Sequence, residues 1–361
     1  MGSPQSFQAS AWRRLKKNKG AVLGLIVIII ASIIAIFAYF IAPDSSSYAN
    51  RIILEIGGSK PGYKQDFVKV KKEREVSETG FFQKLISGKE DRYLYIPITT
   101  YKKTDDSLII EKFIDEGVNE RIAYPLSAIS PNPITSQKFL LGTDKYGRDI
   151  LSRIIIGTRI SLSVGLITVA ISLTIGLILG SLAGYYRGKT DDIIMWFINV
   201  IWSIPTLLLV FAITLVLGKG FWQVFIAVGL TMWVNVARLV RGQVLAVREL
   251  EYVEAAKALG FSGFRTIVRH IWPNILGPVM VIAASNFASA IVIESGLSFL
   301  GVGVQPPQPS WGLMIKENYN FIITQNPMLA LAPGFAIMIL VLAFNLLGNG
   351  LRDALNVRGR I

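Results

Sequence analysis

The stretch EYVEAAKALGFSGFRTIVRHIWPN, Glu251 to Asn274, decides how the chain is read. It is charged, it holds the only histidine, and it lies between segments apolar enough to be membrane spans. Glu251 to Leu259 is rich in helix formers, Ala255, Ala256, Ala258 and Leu259 among them. Gly260 follows, the residue type best suited to the left-handed conformation that ends a helix. Ser262 can N-cap a second helix, on which Phe264, Ile267, Val268 and Ile271 recur at i, i+3, i+4 and i+7, with Arg265 and Arg269 elsewhere. Pro273 is expected to stop that helix. Helix, glycine turn, helix is too polar a pattern to cross a bilayer and too regular for a passive loop.

Outward from this stretch, six segments are long and apolar enough to consider as spans: Gly20 to Ala42, Ile160 to Ala183, Ile193 to Leu217, Trp222 to Val240, Ile275 to Leu297 and Leu331 to Leu347. About 20 residues at about 1.5 Å each are needed to cross the hydrocarbon. The first span follows Arg13, Arg14, Lys16, Lys17 and Lys19, but its apolar run is too long for a signal peptide and YFIAPDSS offers no small-x-small cleavage site, so it reads as an uncleaved anchor. The whole chain of 361 residues is 52% hydrophobic and only 17% charged, which fits a polytopic membrane protein. With no cysteine and one histidine, thiolate chemistry, Cys-ligated metals and a Ser-His-Asp triad are nearly excluded, and no catalytic residue, metal ligand or cofactor site is assigned.

The net charge of +13 is topological. Basic residues in short loops resist translocation. Placing both termini in the cytoplasm puts Arg187, Lys189, Arg238, Arg241, Arg248, Lys257, Arg265, Arg269, Arg352, Arg358 and Arg360 inside and leaves only Lys219 and Lys316 in the short outer loops. The expected organisation is a cytoplasmic segment 1–19, a first span 20–42, an extracytoplasmic insert 43–138, an amphipathic interfacial segment 139–159, a membrane domain 160–350 carrying the cytoplasmic loop 248–274, and a cytoplasmic tail 351–361. Strand-like runs such as RYLYIPITTY mark the insert, whose fold composition does not give. In DILSRIIIGTRISL, Arg153 and Arg159 recur at helical spacing, which suits a helix lying at the interface.

From the residues alone the 251–274 hairpin has three readings: a surface hairpin against the bilayer, a DNA-reading helix-turn-helix, or an element that docks into a groove on a cytoplasmic partner. Tethering by a span at each end makes docking on DNA awkward, so nucleic acid is not expected as a partner. Small alanines permit close approach, and Glu254 and the arginines would orient the docked state.

EAA at 254–256, Gly260, and then His270, Ile271, Trp272 and Pro273 after nine residues resemble the EAA loop of ABC-importer permeases. LGTDKYGRDILSRIIIGTRISLSVG at 141–165, ESGLSFLGVGVQPPQPSWG at 294–312 and FNLLGNGLRDAL at 344–355 are similar to the oligopeptide, dipeptide and nickel branch of that family, from about Leu141 to the C-terminus and more weakly across the first span. Departures are Asn349 and Asn356-Val357, where acidic and Asp-Pro positions are usual, and a longer insert. The resemblance implies an all-α membrane protein of six transmembrane helices with the type I ABC-importer permease fold, in a bacterial or archaeal plasma membrane, besides the insert of uncertain structure. It implies as partners a second homologous permease, two ATP-binding cassette ATPase subunits that hydrolyse the ATP, an extracytoplasmic substrate-binding protein and membrane lipid. Glu254, Ala255, Ala256, Gly260, His270 and Pro273 would form the coupling loop, with peptides as cargo. A nickel importer, an ion-coupled secondary transporter and a membrane-anchored receptor are the alternatives.

GYYRGKT, Gly184 to Thr190, has three residues between its glycines where a phosphate loop needs four, and it follows an apolar span rather than a strand. Glu294, an acid near the end of a span, would cost about 2.5 to 3.5 kcal/mol at the bilayer centre and less near an interface. It is therefore expected to face the bundle, either as a pathway contact for an ammonium group or in a hydrogen bond between helices. Asn199, Asn235, Asn286 and Asn345 are read as interhelical glue, His270 as a packing residue or cap, Pro205 as a kink, and Gly176, Gly180 and Gly184 as a close-packing face.

Overall fold

The structure, a computed structural model, describes residues 7–74, 76, 79–218, 220–323 and 326–355. The expectations placed on Lys219, Asn356, Val357, Arg358 and Arg360 fall on residues outside that set. In chain order the helices α1 (Phe7–Lys17), α2 (Lys19–Ile36) and α3 (Ala38–Ile41) lead to strand β1 (Tyr63–Lys71), helix α4 (Phe81–Ser87) and strands β2 (Tyr93–Lys103), β3 (Ser107–Asp115), β4 (Val118–Pro125) and β5 (Ile129–Phe139). Then come α5 (Ile150–Tyr186), α6 (Gly188–Trp202), α7 (Thr206–Leu217), α8 (Phe221–Val247), α9 (Glu251–Ala258), α10 (Gly263–Thr266), α11 (Trp272–Leu300), α12 (Trp311–Asn318) and α13 (Met328–Leu355). Two compact units result: Met1–Ala31 with Ser161–Gln305 and Ile337–Ile361, and Ser32–Ile160 with Pro306–Ala336.

Among the described residues, five helices are long and apolar enough to cross a membrane, or six if α6 and α7 form one span. The expected third span, 193 to 217, is not one gently kinked helix: α6 and α7 meet at 90° across Ser203, Ile204 and Pro205. Pro205 has no N–H to donate back into α6, and α7 starts afresh just after it.

In the first unit α8 is the central element, with buried residues along most of its length. It is approached closely by α5, because a Cβ at Gly176, Gly180 or Gly184 would fall 2.5 to 2.8 Å from Val236, Ala237 or Arg241. That is the expected small-residue face, where absent side chains bring two backbones together. Gly24 of α2 meets α13 in the same way, its Cβ position 2.5 Å from the Ala343 carbonyl oxygen.

In the second unit the insert is a five-stranded antiparallel sheet in the order β4-β3-β2-β1-β5, and RYLYIPITTY falls almost wholly within β2. Successive side chains alternate faces. Val68 accordingly joins Ile98, Leu108, Ile110 and Ile129 in one apolar cluster, while its neighbour Phe67 joins Phe139, Ile53 and Ile56 in another, so both faces are covered. Pro97 is tolerated in an interior strand because β3 pairs with β2 only from Ile98 onward.

Within the segment 139–159 the chain passes from the sheet into the second expected span. Phe139 ends β5, a turn follows, and Ile150 begins a single helix of 37 residues that runs on through the second span. Asp144 builds the turn by accepting from the amides of Tyr146 (2.9 Å) and Arg148 (3.0 Å). Gly147 must be glycine there: φ is +74°, and a Cβ would collide with the Ile53 carbonyl. Arg153 is 1% exposed, its guanidinium between Asp144 (3.9 Å) and Glu317 of α12 (3.5 Å). Opposite charge from a distant segment is what permits its burial.

Candidate functional site

The hairpin of α9 and α10 is amphipathic across both arms. Its inward side, Val253, Ile267 and Ile271, is buried with Val240, Val244 and Ile275 and packs against Leu177 and Tyr185. Each such residue contributes roughly 1.5 to 3 kcal/mol. Gly260 has φ of +79° and forms the turn, with its amide donating to the Lys257 carbonyl. Ser262 caps α10 by accepting from the Arg265 amide at 3.4 Å. Glu254 and Ala255 face outward, but Ala256 is buried and belongs to the packed side.

Two residues that pattern reading does not single out as a tip stand there: Leu259 and Phe264, each 75% exposed on either side of Gly260. Periodicity puts Phe264 on one face with Ile267 and Ile271, yet unlike them it is exposed. The signal that finds it is its place in the first turn after the Ser262 cap, before the packed stretch begins.

Pro273 does not stop the second helix. Residues 267–271 form a π-turn in which the Trp272 amide bonds back to the Ile267 carbonyl, and the helical run continues from Gly263 to Leu300. The wider turn leaves room for a proline that has no N–H, which accounts for its position at the start of α11 rather than beyond a helix end. His270 lies on this turn, its ring stacked on Phe261 at 5.7 Å and its carbonyl accepting from the Asn274 amide group. Trp272 donates to Ser181 Oγ at 2.9 Å, fixing the turn to α5. Arg248 donates to the Tyr185 carbonyl at the end of α5, and Arg187 pairs with Glu249 at 2.6 Å, so the N-terminal end of the hairpin is held to the α5–α6 corner. That corner is the GYYRGKT stretch, with Arg187 at φ +58° joining two helices.

A second feature of the same unit is a cavity of about 410 Å³ bounded by α7, α8, α11 and the residues just before α7. Its polar lining is Thr206, Thr231, Asn235, Ser285, Asn286 and Ser289, and its apolar lining includes Trp202, Met232 and Ile293; among the described residues no ionisable side chain lines it. Of the asparagines read as glue, Asn199 does join two helices, accepting from Arg238 at 3.0 Å, but Asn235 and Asn286 face this cavity. The sequence signal is the i, i+4 pair Ser285 and Ser289 with Asn286 beside it, a polar stripe on an otherwise apolar helix.

Glu294 is not among the cavity residues. It is fully buried, accepting from Ser298 Oγ at 2.6 Å and from Ser295 Oγ at 3.5 Å. Ser298 Oγ in turn accepts from the Val304 amide at 3.0 Å. Gly301, with φ of +84°, ends α11, and the Val302 amide returns to the Leu297 carbonyl. ESGLSFLGVGV is therefore a helix end stitched to its following turn.

Comparison with known proteins places this architecture. Residues 176–360, just over half of the chain, match the family model described as binding-protein-dependent transport system inner membrane component. Residues 6–55 match the N-terminal TM domain of oligopeptide transport permease C. The chain is 43% identical to the glutathione transport system permease protein GsiD of Pectobacterium atrosepticum, over 60% of this chain and 71% of that protein. It is 42% identical to the dipeptide transport system permease protein DppC of Alkalihalophilus pseudofirmus, over 69% and 83%. With DppC of Bacillus subtilis the identity is 32% over 98% of this chain and 87% of the relative, so that match takes in the insert as well as the membrane helices. By that model match and these relatives, the chain belongs to the family of inner membrane components of binding-protein-dependent transport systems.

Proposed function

We propose that this chain is the membrane-spanning permease subunit of an ATP-driven importer of di- or oligopeptides, forming half of the translocation pathway beside a second, homologous permease. Substrate arrives from an extracytoplasmic binding protein, and two cytoplasmic ATP-binding cassette subunits hydrolyse the ATP. Both termini and the 251–274 hairpin lie in the cytoplasm, and residues 43–138 lie outside. The observation that carries the reading is the continuity of hairpin and cavity wall. α10, the π-turn and α11 are one helical run from Gly263 to Leu300, so displacement of the hairpin moves the helix that bears Ser285, Asn286 and Ser289. ATP shifts such an equilibrium only through a difference in affinity between two states, and the hairpin is the contact that passes this difference on.

The docking face is Glu254, Ala255, Leu259 and Phe264, with Gly260 shaping the tip, while Ala256, His270 and Pro273 hold the hairpin's form. Glu294 serves as a structural tie at the end of α11 rather than as a contact for the peptide ammonium. A neutral lining of amides and hydroxyls suits peptides of varied side-chain charge, and the similarity to proteins named as dipeptide and oligopeptide permeases supports peptides as the cargo. The test is ATPase activity of the complex reconstituted with its binding protein. Stimulation by peptides across a range of lengths, and none by nickel ions, is the expected result. Uptake driven by an ion gradient without ATP, or stimulation by nickel alone, would overturn it.

A further inference from the structure

The importer reading leaves α4 unused, and its chemistry points away from the protein. At about 100° per residue, Phe81, Leu85, Phe82 and Ile86 fill one continuous arc of about 140°, and Gln83, Ser87 and Lys84 fill the remainder. Phe81, Phe82 and Ile86 are 60%, 75% and 63% exposed. A helix of seven residues does not hold itself in water. This one is held by anchors at its C-terminal end. Ser47 Oγ donates to the Ser87 carbonyl at 2.7 Å, the Lys89 amide to the Ser45 carbonyl at 2.8 Å, and the Arg159 guanidinium to the Leu85 carbonyl at 2.7 Å. Gly88, φ +80°, lies so close to the Tyr39 ring that a Cβ there would sit 2.8 Å from it.

These anchors fix α4 beside the C-terminal end of the first membrane-crossing helix. The Phe81 ring is 5.4 Å from that of Phe40, and the Lys84 ammonium sits 4.4 Å from the centre of the Phe40 ring. Ile36, Phe37, Phe40 and Ile41 are themselves exposed, the flank that a membrane-crossing helix turns to lipid, and Phe81, Phe82 and Ile86 extend that apolar surface sideways. An apolar arc flanked by a lysine on a long flexible stem is the chemistry of a helix lying in the headgroup–acyl boundary.

We propose that α4 is a membrane foot of the insert, with Phe81, Phe82 and Ile86 embedded in the interfacial layer of the same bilayer that α2 crosses, so that the five-stranded sheet is tethered to lipid as well as through the chain. The absence of cysteine makes the test direct. A nitroxide is attached at Phe82→Cys, or separately at Ile86→Cys, in the full chain reconstituted into nanodiscs of phosphatidylcholine and phosphatidylglycerol. Collision with oxygen should exceed collision with the water-soluble complex nickel-EDDA several-fold at both sites, and the ratio should invert at Glu116→Cys in the exposed turn between β3 and β4. Nickel-EDDA access matching that of the Glu116 site would place α4 in water. Protection from both reagents would place it against another protein. Either result overturns the proposal.

Discussion

The hairpin around Gly260 and the cluster around Arg153 are built from the same kinds of side chain in opposite surroundings. Glu251, Glu254, Arg265 and Arg269 are exposed, and the hairpin is held by Val253, Ile267 and Ile271 beneath them. At 144–153 the order is reversed: Asp144, Arg148 and Arg153 are buried, and Arg148 bridges Asp144 (2.6 Å) to Glu317 (2.8 Å). Exposed charges are cheap to keep and cheap to change, which suits a surface that meets partners. Buried charges hold only when every member is present, which suits a brace that ties α12 to the start of α5.

The largest effect should come from the brace. Glu317→Gln keeps the shape but leaves Arg148 and Arg153 sharing one carboxylate, and breaking a buried pair of this kind costs about 3 to 5 kcal/mol. The thermal midpoint of the purified chain should fall markedly for Glu317→Gln, while Glu254→Gln, an exposed acid, should stay within about 0.5 kcal/mol of the parent. Equal losses from both would erase the distinction between the two regions.

Next in size is the turn. Gly260 has open space around its Cβ position, so any cost of a side chain there is backbone strain at φ +79° rather than collision. Gly260→Val should cost about 1 to 2 kcal/mol, and Gly260→Asn less, since asparagine tolerates this conformation. If transport depends on the tip geometry, Gly260→Val should also separate ATP hydrolysis from uptake in proteoliposomes, and retention of coupled uptake would remove Gly260 from the coupling element.

How far each region could be read from sequence follows from how local its causes are. The α9 helix, the glycine turn and the Ser262 cap depend on neighbours within a few residues, and pattern alone found them. The helical spacing of Arg153 and Arg159 is local, but the burial of Arg153 is not legible from it, since one of its two counter-charges, Glu317, comes from well over a hundred residues along the chain. Sequence alone reads Pro273 as a helix stop, because a π-turn leaves no composition signature. The 90° break at Pro205 was visible as a proline but not as an angle. Both faces of the sheet are apolar, so the alternation that would have separated inner from outer positions in the insert is weak.

Smaller still is a pH effect at the edge of the brace. Burial pushes the Asp149 carboxyl above its ordinary value, partly offset by hydrogen bonds from the Ser152 hydroxyl and amide. A carboxyl whose folded value is raised adds stability while protonated, below the unfolded value near 3.8, and loses it as pH rises through the higher folded value. Asp149→Asn keeps an acceptor for Ser152 without the charge. The variant should therefore gain stability relative to the parent as pH climbs upward from the ordinary aspartate range, as read from thermal midpoints across a pH series. A constant difference would mean that Asp149 is not burdened by its burial.

The smallest change in stability should accompany the largest change in coupling. Leu259 and Phe264 touch little of the protein, so Leu259→Ser with Phe264→Ser should leave the thermal midpoint within about 0.5 kcal/mol of the parent. The two side chains nevertheless carry most of the apolar area at the hairpin tip, and anchors of this kind dominate docking energy when they enter a pocket. Substrate-stimulated ATPase activity of the reconstituted complex should drop at least tenfold, with each single variant intermediate. Unchanged stimulation in the double variant would return the hairpin to the role of a surface element packed on α5 and α8. A matching loss of stability would show that the tip is structural, and the contrast with the Arg153 cluster would then fail at the hairpin rather than at the brace.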